Sequence, residues 1–381
     1  MIDWEKIRSD FPITKNIIYF QSAAMSPLPI PVFNAIQREY RKLLRQGDIH
    51  WMNDMEKFRR QCADLAELIH TAGENITFVP NTSSAMSIMA ASFKNHIQKP
   101  FNIVSMEDEF PASTLGYEYQ GVDMRYVQPV EARYPIESIL KMTDRNTLAV
   151  VTSHVQYATG FRQDLKALGQ ELKKRRILFI VNATQSFPFF PIDVRAMNID
   201  ALTASVHKWG FTGHIGTMFY TSPSFRRKYP PAWAGWMSVM SGEEDFIHTA
   251  KNAPFRLHDS AERYILGTFN LQPLLAFQAS VDYLKAIGFQ NIRNRIMELT
   301  DYLINGLNKL KVKIISPVAR KKERSAIISF SLGAKNRLCI KTLAKNKISV
   351  GERAGNIRAS LNIFNNFEDI DRLLEVVKNF C

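Results

Sequence analysis

Ala201-Leu202-Thr203-Ala204-Ser205-Val206-His207-Lys208-Trp209-Gly210 is the stretch on which the fold turns. Its first five residues, small, apolar or β-branched, suit a short buried strand. Gly210, Gly213 and Gly216 then break the pattern. Lys208 therefore falls just past a strand end, at the mouth of a sheet, and not on a helix face. A lysine in that place is either an ordinary surface residue or an amine whose pKa burial lowers, freeing it to attack a carbonyl. The stretch alone does not choose between the two.

Working outward, further strands are expected at 76–79, 102–105, 148–152, 178–181 and 216–220. Helical patterns lie between them. In 164–174, for example, Leu165, Leu168 and Leu172 share one face. Strands alternating with helices predict a mainly parallel sheet covered by helices. After about residue 257 the texture changes to long helical patterns at 272–287 and 292–310. A strand pair near 312–330, a helix near 338–345, a strand at 358–361 and a last helix at 367–380 follow. The expected organisation is an N-terminal segment (1–16) packing with the small domain, a large α/β domain (17–257) and a smaller α+β domain (258–381).

Composition narrows the class. The chain has 381 residues, of which 46% are hydrophobic and 22% charged, so it can bury a large core. No run approaches the roughly 18 apolar residues of a membrane span. The N-terminus carries Asp3 and Glu5 and no apolar signal region, so a cytoplasmic protein with no membrane role is expected. Three widely spaced cysteines, Cys62, Cys339 and Cys381, form neither a disulfide framework nor a metal site. The net charge of +13 is concentrated at 309–347, where twelve Lys/Arg face one acid, Glu323. Without interleaved aromatics, this reads as a solvated basic surface and not as a nucleic-acid site.

Two other places could bind an anion or a ring. Asn182-Ala183-Thr184-Gln185 ends the most apolar strand, where open α/β sheets present polar residues to a ligand. Pro80-Asn81-Thr82-Ser83-Ser84 leads into a helix expected from about Met86; its hydroxyls make either an anion cradle or a plain helix cap.

Together these pieces resemble the fold type I enzymes of pyridoxal 5′-phosphate, above all the class V aminotransferase group, which includes cysteine desulfurases, selenocysteine lyases and isopenicillin N epimerases. The opening Ile17-Ile18-Tyr19-Phe20-Gln21-Ser22-Ala23-Ala24 is similar to the family's first strand and substrate-side turn, which puts Ala23 by the substrate. Glu109-Phe110-Pro111 resembles the segment that stacks on the cofactor ring, and Ser153-His154-Val155-Gln156-Tyr157-Ala158-Thr159-Gly160 the strand end facing its phenolic oxygen. The resemblance implies Lys208 as the Schiff-base residue and Thr82, Ser83, Ser205 and His207 around the phosphate. It places Phe110 on the ring, Tyr157 and Gln185 at the phenolic oxygen, Asn182 at the ring nitrogen and Arg358 on the substrate carboxylate. Thr268, in Gly267-Thr268, would reach the phosphate of a neighbouring subunit, so a homodimer with shared sites acting on a small amino acid is implied.

Two departures bear on the reaction. The family usually has Asp where this chain has Asn182, and a neutral amide is a poorer partner for a protonated ring nitrogen. No cysteine occurs in 348–355, next to the arginine segment, where desulfurases carry one. The expectation is lyase chemistry (β- or γ-elimination) or epimerisation, and not a persulfide desulfurase. An aminotransferase, or a non-catalytic relative with a binding role, are the alternatives.

Overall fold

The computed structural model describes residues 2–240 and 254–381. A seven-stranded sheet is built from Ile76–Val79 (β1), Asn102–Met106 (β2), Asp123–Val127 (β3), Thr147–Ser153 (β4), Leu178–Asn182 (β5), Ala201–Ser205 (β6) and Thr217–Thr221 (β7). Its order is β1-β7-β6-β5-β4-β2-β3. All neighbours are parallel except β7, which runs antiparallel to β1 and β6. The expected mainly parallel, fold type I α/β architecture is therefore present. Strands β1, β2, β6 and β7 are buried throughout, which is why they read as continuous apolar runs and not as alternating ones.

Strand β3 escaped the sequence reading. It lies at the sheet edge, carries Asp123 and Arg125, and only Val127 of its five residues is buried. Such a strand has no apolar signature to read. The helix expected from about Met86 starts earlier, at Thr82, and runs to His96. Asn81 caps it, its side chain accepting the Ser84 N–H at 2.8 Å. The helix Leu165–Lys174 is capped in the same way by Asp164 and buries Leu165, Leu168 and Leu172, each worth about 1.5–3 kcal/mol.

A second sheet comprises Lys313–Ile314 (β8), Ile327–Ser331 (β9), Gly351–Arg353 (β10) and Asn356–Ser360 (β11). It is antiparallel, in the order β8-β9-β11-β10. Phe330, Ile357 and Ala359 pack there with Leu303, Leu307 and Leu373 of the helices Phe289–Lys309 and Phe367–Lys378. The N-terminal segment lies against this part, with Arg8 paired to Asp369 at 2.7 Å and Ile18–Tyr19 running parallel to Ile348–Ser349. We keep a division at residue 257 as a proposal. The helix Leu271–Ile287 beyond it sits on the large sheet, where Phe277 meets Phe78 of β1 at 6.2 Å.

Much of the basic stretch at 309–347 is tied down. Arg324 pairs with Asp301 at 2.5 Å, Arg320 with Glu323 at 3.1 Å and Lys322 with Asp164 at 4.0 Å. No helix among the described residues is long and apolar enough to cross a membrane.

Candidate active site at the strand ends

Strands β4, β5 and β6 end side by side, and a cavity of about 360 Å³ opens where they stop. Ser153, Asn182 and Ser205, the last residues of the three strands, line it. So do Ala23, Thr82, Ser83, Phe110, Tyr157, Gln185, His207, Lys208 and Arg358. Ten residues expected at one site are thus brought together with Lys208. Thr268 is not among them. It lines an adjoining cavity of about 280 Å³, which shares Asn81, Ser205 and His207 with the first.

Lys208 lies three residues past β6, its backbone carbonyl held by the Ser26 hydroxyl. Burial, and then the positive charges of Arg358 and Arg353, push its amine down to about 7. Near neutrality the amine is then available as a free nucleophile or base, whereas an ordinary lysine is almost wholly protonated. Its Nζ lies 5.5 Å from the centre of the Phe110 ring. Phe110 is 43% exposed and so open to a flat ligand, and its ring meets Tyr157 in a T-shaped contact at 5.2 Å.

One end of the cavity is a neutral cradle. The hydroxyls of Thr82 and Ser205 share a hydrogen bond of 2.9 Å, and Ser205 reaches Thr217 at 2.7 Å. The Thr82–His96 helix points its N-terminus here, with the partial positive charge of free N–H groups. Burial, with Lys208 and His214 nearby, pushes His207 down to about 4, so its ring is neutral at physiological pH.

Another part of the lining is cationic. Arg358 is only 1% exposed, and burial lowers its guanidinium to about 10. One nitrogen, Nη1, donates to the Tyr157 carbonyl at 2.7 Å, while Nε and Nη2 have no partner among the described residues. A buried guanidinium with two idle donors is costly unless something accepts from it, and a carboxylate matches its fork.

The floor amides are held from behind. Asn182 Oδ1 accepts the Thr184 N–H at 3.0 Å, and Nδ2 donates to the Ser113 hydroxyl at 3.0 Å. Gln185 Nε2 donates to the Ala23 carbonyl at 2.9 Å, while its oxygen accepts from the Trp209 indole at 3.1 Å. Gln185 thereby fixes the substrate-side turn as well as lining the cavity.

Sequence reasoning passed over Glu109. Its buried carboxylate accepts Ser153 N–H, the Ser153 hydroxyl at 2.5 Å and Gln156 Nε2 at 2.8 Å, and so holds the end of β4. Burial raises its pKa. Its place beside Phe110 was a signal, but an acid in a loop gives no hint of burial. Arg353 was also passed over, although it lines the cavity.

These residues fit pyridoxal phosphate: a neutral hydroxyl and N–H cradle for a phosphate, an amine for the aldehyde, a ring face and an unsatisfied carboxylate receptor. Among the described residues no cluster of His, Cys, Asp and Glu could hold a metal.

The sequence profile of the family described as Aminotransferase class-V matches residues 18–373. Among curated proteins, the chain is 26% identical to a probable cysteine desulfurase of Methanothermobacter thermautotrophicus, over 99% of this chain and 98% of the relative. It is 24% identical to one of Pyrococcus abyssi, over 98% and 96%. Among solved structures, the cysteine desulfurase of Thermococcus onnurineus NA1 superposes with a TM-score of 0.89 at 22% identity, covering 100% of this chain and 98% of that one. The cystine C–S lyase C-DES, in complex with its reaction product cysteine persulfide, gives 0.84 at 20% identity, covering 97% and 99%.

These findings correct the expected reaction. The sequence reading set aside a persulfide desulfurase because 348–355 lacks cysteine, yet the relatives, matched over 96% and 98% of their length, are named probable cysteine desulfurases. The missing thiol removes one sulfur acceptor from the chain, and it was wrong to exclude the reaction class on that ground.

Proposed function

Since the chain belongs to the aminotransferase class-V family and is thus a pyridoxal phosphate-dependent enzyme, we propose that it breaks the carbon–sulfur bond of a cysteine-type amino acid. The observation that carries this reading is the pairing, across one cavity, of the Lys208 amine with the buried, half-satisfied Arg358. Bound pyridoxal phosphate supplies an aldehyde that condenses with amines and a ring that draws electrons from the substrate Cα. Lys208 would hold it, with Thr82, Ser83, Ser205 and His207 around the phosphate and Phe110 over the ring. Arg358 takes the substrate carboxylate through two N–H groups. Lys208 Nζ, which burial keeps well below an ordinary lysine in basicity, accepts the Cα proton.

The names of the relatives support sulfur as the leaving atom. Among the described residues no cysteine lines the cavity, and Cys62 and Cys339 are buried. We take the acceptor to be a thiol from outside the chain, Cys381 being the exposed C-terminal residue and not part of the cavity lining. Cysteine and a thiol RSH give alanine and RSSH, with atoms and electrons balanced. Incubating holo-protein with cysteine and a small thiol, and identifying products by mass, tests this. Alanine with a persulfide supports it; keto acid with the sulfur still attached overturns it in favour of an aminotransferase.

We further propose a cytoplasmic homodimer. Phe33, Tyr40 and Leu44 form an exposed apolar stripe along the helix Ile30–Gln46, which suits burial against a second copy. Thr268 would then serve the partner's phosphate. Light scattering that gives a monomer with normal cofactor retention would remove that role.

A further inference from the structure

The segment that lacks cysteine is a tight hairpin. Strands β10 and β11 pair Gly351 with Arg358, Glu352 with Ile357 and Arg353 with Asn356. Only Ala354 and Gly355 join them, with φ of +47° and +73°. Two positive-φ residues make a type I′ turn, whose twist matches that of the strands it connects. No loop is left to swing a side chain in and out. The register also decides what the hairpin presents. Side chains alternate along a strand, so Gly351, Arg353, Asn356 and Arg358 share one face. Arg353 and Arg358 are diagonal neighbours on it, at a typical spacing of about 7–8 Å. Both line the cavity.

The charges in that wall are unbalanced. Lys208, Arg353 and Arg358 line the cavity, and among the described residues no Asp or Glu does. Arg353 donates to the Glu352 carbonyl at 2.6 Å, but among the described residues no carboxylate lies within ion-pair distance of it. The neighbouring Glu352 carboxylate turns to Arg337 instead, at 3.6 Å. The phosphate end needs none of this charge, since hydroxyls, a helix N-terminus and a neutral imidazole serve there. One α-carboxylate satisfies Arg358. The Arg353 guanidinium is then surplus, on the same hairpin face as Arg358.

We propose that Arg353 forms a second-anion subsite beside Arg358, so that the preferred substrate is an amino acid carrying another anionic group beyond its β-sulfur. This rests on the reading of the chain as a carbon–sulfur cleaving enzyme. A distal carboxylate and a sulfur-borne oxyanion both meet the requirement, and a planar guanidinium accepts either.

The test is a matched pair of ligands, titrated calorimetrically into holo-protein. S-carboxymethylcysteine and S-carbamoylmethylcysteine have nearly the same shape and differ in one charge. Wild type binds the acid about tenfold more tightly, as one partly exposed charge-assisted contact allows. Arg353→Gln brings the ratio close to one, Arg353→Lys restores part of it, and alanine, with its single carboxylate, is affected much less than the acid. S-sulfocysteine as a third ligand separates the two sources: preference over S-carboxymethylcysteine assigns the subsite to a sulfur oxyanion, the reverse to a carboxylate. Equal affinity of wild type for the matched pair overturns the proposal, as does an equal loss for alanine and acid in Arg353→Gln. Because binding is read without turnover, absence of sulfur release from every ligand would count against the enzymatic reading alone.

Discussion

Replacing Asn182 by Asp adds one negative charge to the floor of the site while leaving its shape alone. In the structure Asn182 is buried, its oxygen accepting from Thr184 and its nitrogen donating to Ser113. A carboxylate keeps the first bond, and the Ser113 hydroxyl can rotate to donate the second. Two charge-assisted hydrogen bonds offset part of the desolvation cost of several kcal/mol, which leaves the apo-protein of Asn182→Asp about 1–3 kcal/mol less stable. For a chain of this length that is roughly 1–4 °C of Tm. The sign with pH follows from linkage. Burial raises the folded pKa of the new carboxyl above its unfolded value of about 3.9, so the deficit is present at neutral pH and fades as pH falls towards 4. Bound cofactor reverses the effect if the ring nitrogen faces this residue, because the carboxylate then pairs with a protonated nitrogen, each unit of pKa shift being about 1.4 kcal/mol. Thermal scans of apo- and holo-protein should therefore show a wider apo-to-holo gap in Asn182→Asp than in wild type. The variant should also gain a transamination side reaction, read as keto acid. A Tm deficit unchanged by cofactor would refute the placement of Asn182 at the ring nitrogen.

Other outcomes follow from single residues. With its amine pushed down to about 7, Lys208 should be alkylated in apo-protein at a rate that rises through pH 7, while bulk lysines follow near 10; a Lys208 profile near 10 would deny its desolvation. The same depressed pKa makes apo-protein gain stability as pH rises from 7 towards 10, since the unfolded chain then holds the extra proton. Glu109→Gln turns an amide N–H₂ towards donors at Ser153 and Gln156, and should cost about 1–3 kcal/mol in denaturant titration; a neutral result would mean that the three bonds to this carboxylate carry no weight. Gly160→Ala should abolish soluble folding, because Gly160 has φ of +73° and an added Cβ would collide with the Ile327 carbonyl; normal expression would contradict that packing.

The residues differ in how much of their role the sequence exposed. Strands β5 and β6 were legible because burial on both faces leaves long apolar runs, and because Asn182 and Lys208 sit where such runs stop. Strand β3 was not, since an edge strand with one buried residue is locally indistinguishable from a loop. The phosphate cradle was readable as hydroxyls before a helix, yet the cap proved to be Asn81 and the helix longer by a turn. Glu109 and Arg353 depend on tertiary placement: one is buried by strand-end contacts, the other aimed by hairpin register. The reaction was misjudged because a local absence, cysteine in 348–355, was given more weight than the resemblance of the whole chain.

Hydride reduction of the holo-protein followed by peptide mapping tests the central assignment most directly. The account predicts a pyridoxyl label on Lys208 alone, and a reduced label when cysteine is added first, because the substrate amine displaces the lysine. Label on any other lysine, or a Lys208 label indifferent to cysteine, would contradict it.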